Sequence, residues 1–597
     1  MIALFCLLIP PLALVCLRER LLGNHKTIYI SALTYAFSVL ALNGILMFLL
    51  SYVFHSEDEL LFKLNHHNGF ACKYIIMSIV LAFAEPYAER FFRTKMTLKI
   101  HLGSRRLPEF RHLRIFAALY ALVLFLLNFI RIFNDNFCLD ETFSVNLIQH
   151  SLPGILEGTA ADVHPPLYYL FLKAGHIIFG NQGWMFHLVS LIPYAIILIF
   201  ALTVIWKKFG KEAAVILITL AGISNNAAYY SVEVRMYSWA SLFVLLSFYE
   251  LYNILSAEKN KHYVLFALFS LAAAYTHYYA LISVAFFYVI ILLLACRKKL
   301  HMKNVLITCL CTIVGYLPWF FVLLETFVTK IDTFWLKNYP GFKESMNYLF
   351  SDQFTPVCWG IFLLGIVLAF LYESNIIQFQ KGENKKITIS VTFDNFHFSH
   401  LLTWMTAGIV SVIGTITVGI LVSKLLRPFW VAHYAYPVSI VAWMILGITI
   451  SKLKGKKVYT LLIVAYLLLL SIPAYQELYT FEKQANRAHQ ATLAATVEQI
   501  AEEDVILSNN EHMWDVFAPY YYPGISTETV NPFALPALKE NTTYWLFFIN
   551  DNVPEMAPVY YEIEKQGFSY EQIVTNGSFG MHTVNVYRIE SQAAAEP

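Results

Sequence analysis

Long apolar runs separated by short polar clusters dominate this chain up to about residue 474. A bilayer core of about 30 Å takes about 20 apolar helical residues, so the pattern predicts about 14 spanning helices. They fall at 1–17, 27–54, 71–92, 115–133, 184–206, 213–231, 237–256, 262–275, 279–296, 304–324, 357–372, 401–423, 434–451 and 457–474. The stretch 165–180 is apolar but short and carries Lys173 and His176, which suits a helix at the outer interface rather than a span. Beyond about residue 475 the pattern changes to helix-like ATLAATVEQIAEE, strand-like YWLFFIN and TVNVYRI, and a Tyr522-Pro523-Gly524 turn. That tail is long enough for a small soluble α/β domain. The insert at 373–400 is polar, with a hairpin pattern.

Basic residues orient the runs. Met1–Leu17 has Arg18 and Arg20 after it and no basic flank before it, the reverse of a signal peptide, so it reads as a retained helix with its N-terminus outside. Carrying that parity forward puts the eight Lys and Arg residues between Arg90 and Arg114 in the cytoplasm, with the clusters at 207–211, 297–299 and 452–457. The outer face then receives 134–183, the turns at 232–236 and 276–278, the loop 325–356 and the tail. Three units follow: an N-terminal transmembrane extension, 1–114; a main transmembrane domain, 115–474, with 134–183 as its first outer loop; and an extracytoplasmic soluble domain, 475–597.

Composition sharpens this. Hydrophobic residues are 58% and charged residues 14%, against about 25% charged in soluble domains, and the mean hydropathy is +0.57. A soluble enzyme, a disordered hub, a fibre and a disulfide scaffold are excluded. A formal net charge of +2 gives no electrostatic footprint for nucleic acid. The eight cysteines are scattered, mostly in apolar runs, without paired metal spacing.

Ionisable residues beside lipid are expensive, and here they converge on one face. The first outer loop carries Leu139-Asp140-Glu141-Thr142 and Asp162-Val163-His164-Pro165-Pro166-Leu167-Tyr168-Tyr169; later turns add Glu233-Val234-Arg235-Met236-Tyr237, Thr276-His277-Tyr278-Tyr279, Leu426-Arg427-Pro428-Phe429 and His433-Tyr434. Each has a structural explanation of its own. Asp140 would serve as an N-cap, the two prolines as a stiff helix entry, Glu233 and Arg235 as a surface pair, and His277 with its tyrosines as an interfacial belt. Five such knots on one leaflet point instead to group transfer from a lipid phosphate. That reaction needs a carboxylate base and cationic stabilisation of the leaving phosphate. Asp140 and Asp162 offer the carboxylates, and Arg235 and Arg427 the guanidinium forks. Mixed carboxylate and imidazole ligands, Asp162 or Glu141 with His164 or His277, suit a divalent ion, although no ligand spacing demands one.

In their order and spacing these motifs resemble the integral-membrane glycosyltransferases of the C-type fold, in particular the bacterial family akin to protein O-mannosyltransferases and the lipid A aminoarabinose transferase. The resemblance spans roughly 115–440. It implies an all-α polytopic membrane enzyme of the plasma membrane, of bacterial inner-membrane type, with its active site outside the cytoplasm. The enzyme would move a sugar from a polyprenyl-phosphate donor to a glycan, lipid or protein acceptor with inversion at the anomeric carbon. On that reading Asp140, Glu141 and Asp162 are catalytic, and Arg235, Arg427 and His433 bind the donor phosphate. His164, Glu233, Tyr237, His277, Tyr278 and Tyr434 shape the pocket, and Asp162, His164 and His277 are candidate ligands for Mn, Mg or Zn. Family members often carry Arg at the positions of His433 and His187, which throws phosphate binding onto Arg427 and Arg235. Helices before residue 115 fall outside the pattern. A transporter or lipid flippase would need charges near the midplane and broken helices, and a scaffold subunit would need a self-sufficient tail.

Overall fold

The structure, a computed structural model, describes residues 113–329, 336–351, 399–453, 456–530, 535–549 and 557–591, single helical positions at 363 and 367, and the strands at 96–98, 377–381 and 387–391. The runs predicted at 1–17, 27–54 and 71–92, and most of 357–372, lie outside the described residues.

Ten predicted spans fall within the described residues, and all are helical. The first is α1, Leu113–Phe129, extended by a 3-10 turn to Phe133. In the loop that follows stand α2 (Leu139–Leu147), α3 (Leu152–Ala161) and α4 (Leu167–Phe179). α5 starts at Gly183 and continues through a π-helical turn to Phe209. Then come α6 (Lys211–Ile223), α7 (Asn225–Val232), α8 (Tyr237–Ala257), α9 (Asn260–Thr276), α10 (Tyr278–Cys296) and α11 (Met302–Thr329). The short α12 (Phe342–Tyr348) precedes α13 (His400–Leu425), α14 (Tyr436–Lys452) and α15 (Lys456–Thr496). Among the described residues, eight helices are long and apolar enough to cross a membrane, and α9, at 17 residues, rises about 26 Å. The chain is a multi-pass membrane protein. α4, at 13 residues, is as short as its sequence predicts.

Two departures from the sequence pattern matter for the site. The run predicted as one span at 213–231 is two helices bent by 64°, because Ser224 adopts an extended backbone and its hydroxyl accepts the Ala227 amide as an N-cap. The bend leads the chain from α6 through α7 to the polar turn at 233–236. The last helix does not stop at 474 but runs 41 residues to Thr496, about 60 Å long and twice the bilayer core. The soluble domain therefore begins some twenty residues later than the hydropathy change suggests.

Packing follows burial. Residues 434–451 are buried without a break, and at Gly447 a Cβ would sit 2.8 Å from the Ala213 carbonyl, so α14 and α6 meet backbone to backbone. Leu310 and Ile313 of α11 and Leu461 and Leu469 of α15 are exposed apolar residues, as a lipid-facing rim requires.

Beyond α15 a five-stranded sheet runs β5-β4-β6-β8-β7, with β4 Val505–Ser508, β5 Ser526–Thr529, β6 Tyr544–Ile549, β7 Phe568–Phe579 and β8 His582–Ser591. β4 pairs in parallel with β5 and β6, and the β6–β8 and β7–β8 pairs are antiparallel. α16 (Glu511–Tyr521) and α17 (Ala557–Lys565) complete this small α/β unit. A second, three-stranded sheet joins β1 (Met96–Leu98) to the hairpin β2 (Ile377–Lys381) and β3 (Ile387–Val391) in the order β1-β3-β2. Met96–Leu98 and the hairpin strands therefore lie side by side, 279 positions apart in sequence between Leu98 and Ile377.

Candidate active site

Asp140 stands in the first turn of α2. Its neighbour Glu141 does different work: Oε2 accepts the Cys138 amide at 2.9 Å, a capping arrangement, and Oε1 accepts the Val234 amide at 2.9 Å. Glu141 thus fastens the start of α2 to the 233–236 turn and is itself buried. Asp140 keeps 62% of its side chain exposed, and its Oδ2 lies 3.9 Å from Arg235 Nη2.

Arg235 is 3% exposed. Its Nη1 donates to the Asp140 carbonyl, Ser144 Oγ and Tyr169 Oη, each at 3.3 Å, while its Nε has no protein partner. Burial works against its charge, but Tyr169, Asp140 and Asp162 outweigh burial and hold it protonated. A buried, permanently charged fork with spare donor capacity suits a phosphate. Glu233, two residues earlier, has an unpartnered buried Oε2. Burial, with Glu141 close by, pushes its carboxyl well above the carboxylate range against the pull of Arg235.

Histidines and tyrosines line the neighbouring wall. The rings of His164 and His277 lie 6.0 Å apart, His277 is 5.5 Å from Tyr237 and 5.4 Å from Tyr434, and Tyr237 is 5.5 Å from His433. His277 caps α10: its Nδ1 accepts the Tyr279 amide at 3.1 Å. Burial, His433 and Arg235 push its pKa down to about 3, so the ring is neutral. Its one proton must then sit on Nε2, which is buried without a protein partner. His164 is likewise held neutral, by burial first and Arg235 second. Asp162 caps the end of α3 and is near enough to Arg235 to favour its charge.

The structure thus gathers Asp140, Glu141, Asp162, His164, Glu233, Arg235, Tyr237, His277, His433 and Tyr434 at one end of the bundle. Tyr278 turns away toward α11, where its hydroxyl accepts from Trp319 Nε1 at 3.2 Å. Arg427 is half-buried in the link between α13 and α14, six residues before His433 and so at the same end. His187, where family members often have Arg, sets Nδ1 2.7 Å from the Val232 carbonyl and Nε2 2.7 Å from that of Asn134, bridging the first loop to the end of α7. Among the described residues no three His, Cys, Asp or Glu side chains could hold a metal ion. Asp162, His164 and His277 do not form a ready-made ligand set, and no step below runs through a metal.

The path of the chain through these elements is shared with known proteins. The structure of ArnT from Cupriavidus metallidurans in the apo state superposes with a TM-score of 0.51 at 10% identity, covering 81% of this chain and 98% of that one. The chain has the C-type fold of integral-membrane glycosyltransferases. Residues 163–321 match the profile of the dolichyl-phosphate-mannose-protein mannosyltransferase family, a stretch that holds the His164, Arg235 and His277 motifs but not Asp140 or Arg427. The same ArnT bound to undecaprenyl phosphate aligns at a TM-score of 0.47 and 12% identity, over 81% of this chain and 99% of that one. No curated protein sequence matches the chain. The predicted fold class and family resemblance are borne out.

This C-type chain also holds its first loop in a way its sequence did not announce. The Tyr521 hydroxyl donates to the Asp135 carbonyl at 3.0 Å and accepts the Phe137 amide at 3.1 Å; Asn136 Nδ2 donates to Ser578 Oγ at 3.1 Å, and Asn146 Nδ2 to the Val516 carbonyl at 2.5 Å. These contacts bind the loop carrying Asp140 to the soluble domain. A cavity of about 340 Å³ remains between them, with Asp140 on its wall.

Proposed function

We propose that the protein is a membrane glycosyltransferase that takes a sugar from a polyprenyl-phosphate donor and passes it to a glycan, lipid or protein acceptor on the extracytoplasmic face. One observation carries this reading: a solvent-open carboxylate, Asp140, lies 3.9 Å from the buried guanidinium of Arg235. A base and an anion clamp at that spacing fit the two ends of a glycosyl transfer.

Arg235 would receive the donor phosphate through its free Nε, with the neutral His277 Nε2–H as a second donor and Arg427 and His433 at the same end of the bundle. Asp140 would accept the proton of the acceptor hydroxyl or amine as that atom attacks the anomeric carbon. The new bond forms as the bond from the anomeric carbon to phosphate oxygen breaks; the electron pair leaves on the polyprenyl phosphate, whose charge Arg235 stabilises. One displacement inverts the anomeric centre. Asp162 would keep Arg235 charged, and Glu233, in its neutral form, would offer a hydrogen bond without opposing the phosphate.

Incubating the purified protein with a panel of polyprenyl-phosphate sugars and following each by mass spectrometry tests the reading. One donor should be consumed by the wild type and spared by Asp140→Asn. Consumption of none, or equal consumption by the variant, would refute it.

A further inference from the structure

The cavity beside Asp140 is walled by Leu139 and Asp140 of the first loop, Leu478 and Phe481 of α15, Tyr229 of α7, and the turn Gly580–His582 of the soluble domain. Asp140 therefore stands between two compartments. On one side lies Arg235 with its polar, aromatic surroundings; on the other is a wall built mainly of Leu139, Leu478, Phe481 and Met581. Glu482, the other carboxylate on that wall, is paired bidentately with Arg131, at 2.5 and 2.7 Å.

Three observations say what this second compartment suits. A direct displacement requires nucleophile and leaving group on opposite sides of the anomeric carbon, so with phosphate at Arg235 the acceptor approaches Asp140 from the cavity. Arg131 sits two residues before the end of the span Leu113–Phe133, so its partner Glu482, and the cavity with it, lies at the membrane boundary; Phe481 is 55% exposed there. The third is backbone strain. The Phe579↔His582 pair closes a two-residue hairpin over Gly580 and Met581, with φ of 57° and 69°. Such turns favour Gly, Asn or Asp at both places. A methionine held left-handed instead sets a flexible apolar side chain on the wall, and strain kept at a cavity is a pointer to function.

We propose that this cavity is the acceptor site and that the acceptor is an amphiphile of the same leaflet, its hydroxyl or amine at Asp140 and its apolar body along Phe481, Leu478 and Met581. The assignment rests on the glycosyltransferase reading for the role of Asp140, and it makes the soluble domain part of the substrate site.

The test uses the full-length protein in phosphatidylethanolamine and phosphatidylglycerol vesicles containing a diazirine-bearing long-chain alcohol as probe. Photolabelling should mark Leu478, Phe481 and Met581, and should fall about tenfold in Phe481→Trp and Met581→Trp, which fill the cavity from opposite walls. Labelling of Leu310 and Ile313 on the exposed face of α11 should stay unchanged, which controls for folding and insertion. Labels confined to α11, or equal in wild type and both variants, would overturn the proposal. With the donor identified by the panel, Met581→Trp should keep donor binding and lose transfer to membrane lipid; transfer to a soluble peptide or free oligosaccharide would overturn it too. Failure to bind any polyprenyl-phosphate sugar would sink the parent reading alone, because the labelling needs no donor.

Discussion

Arg131 and Glu482, 351 positions apart, meet in a bidentate ion pair, Nε to Oε2 at 2.7 Å and Nη2 to Oε1 at 2.5 Å, with the arginine side chain 1% exposed. The pair joins the first described span to the last and fixes the height at which α15 leaves the membrane. Removing one partner strands a buried charge, which costs about 3–5 kcal/mol, whereas replacing both with apolar residues is often nearly neutral. Arg131→Met or Glu482→Met alone should lower the thermal midpoint in detergent sharply, and the double substitution should recover most of the loss.

Arg235→Lys keeps the charge and loses the fork. A lysine cannot reproduce three Nη1 contacts and a free Nε, so donor KM should rise by roughly 10–100-fold, about 1.4 kcal/mol for each factor of ten. Steady-state kinetics with the identified donor checks this, and an unchanged KM would remove Arg235 from phosphate binding.

Tyr521→Phe removes one hydroxyl that both accepts from Phe137 and donates to Asp135. Stability should fall by only about 1 kcal/mol. Transfer should slow by about tenfold or more, because small displacements of a reacting group are costly, with donor KM unchanged. A drop in melting temperature proportionate to the lost rate would mean the tyrosine matters only to folding.

Acid should destabilise the protein through its buried imidazoles. Burial lowers the pKa of His277 to about 3 and depresses that of His164, against about 6.5 for a free side chain. The unfolded chain takes up these protons first, so the stability tied to neutral imidazoles is complete above about pH 6.5 and is lost as pH falls toward 3. Thermal midpoints measured from pH 7 to pH 5 should decline, and His277→Asn should decline less. Parallel curves would contradict the neutral assignment.

Much of this was legible in the sequence. Unbroken apolar runs betray spans because lipid tolerates no unpaired backbone, and the polar knots stand out because charge beside lipid needs a reason. What escaped was pairing at a distance. Tyr521 lies 384 positions from its partner Phe137, and no local periodicity encodes such a contact. Arg131 lies inside the run read simply as the span 115–133, and nothing local marked Glu482 as its partner. Asp140 and Glu141 look like a carboxylate pair in sequence; only the backbone reveals that Glu141 spends both oxygens on amides. α15 was cut short at 474 because hydropathy falls there, although amphipathic residues carry the same helix onward.

The continuity of α15 restricts how the protein can open. The last turns of this 41-residue rod pack on β7, with His489 Nδ1 3.1 Å from the Ser578 carbonyl, so the short link at 497–504 is no free pivot and swinging that unit off the first loop means flexing the rod near Pro473. Traffic of long-chain reactants is therefore expected to proceed sideways through the rim of the bundle, with the outer cap staying seated from one turnover to the next.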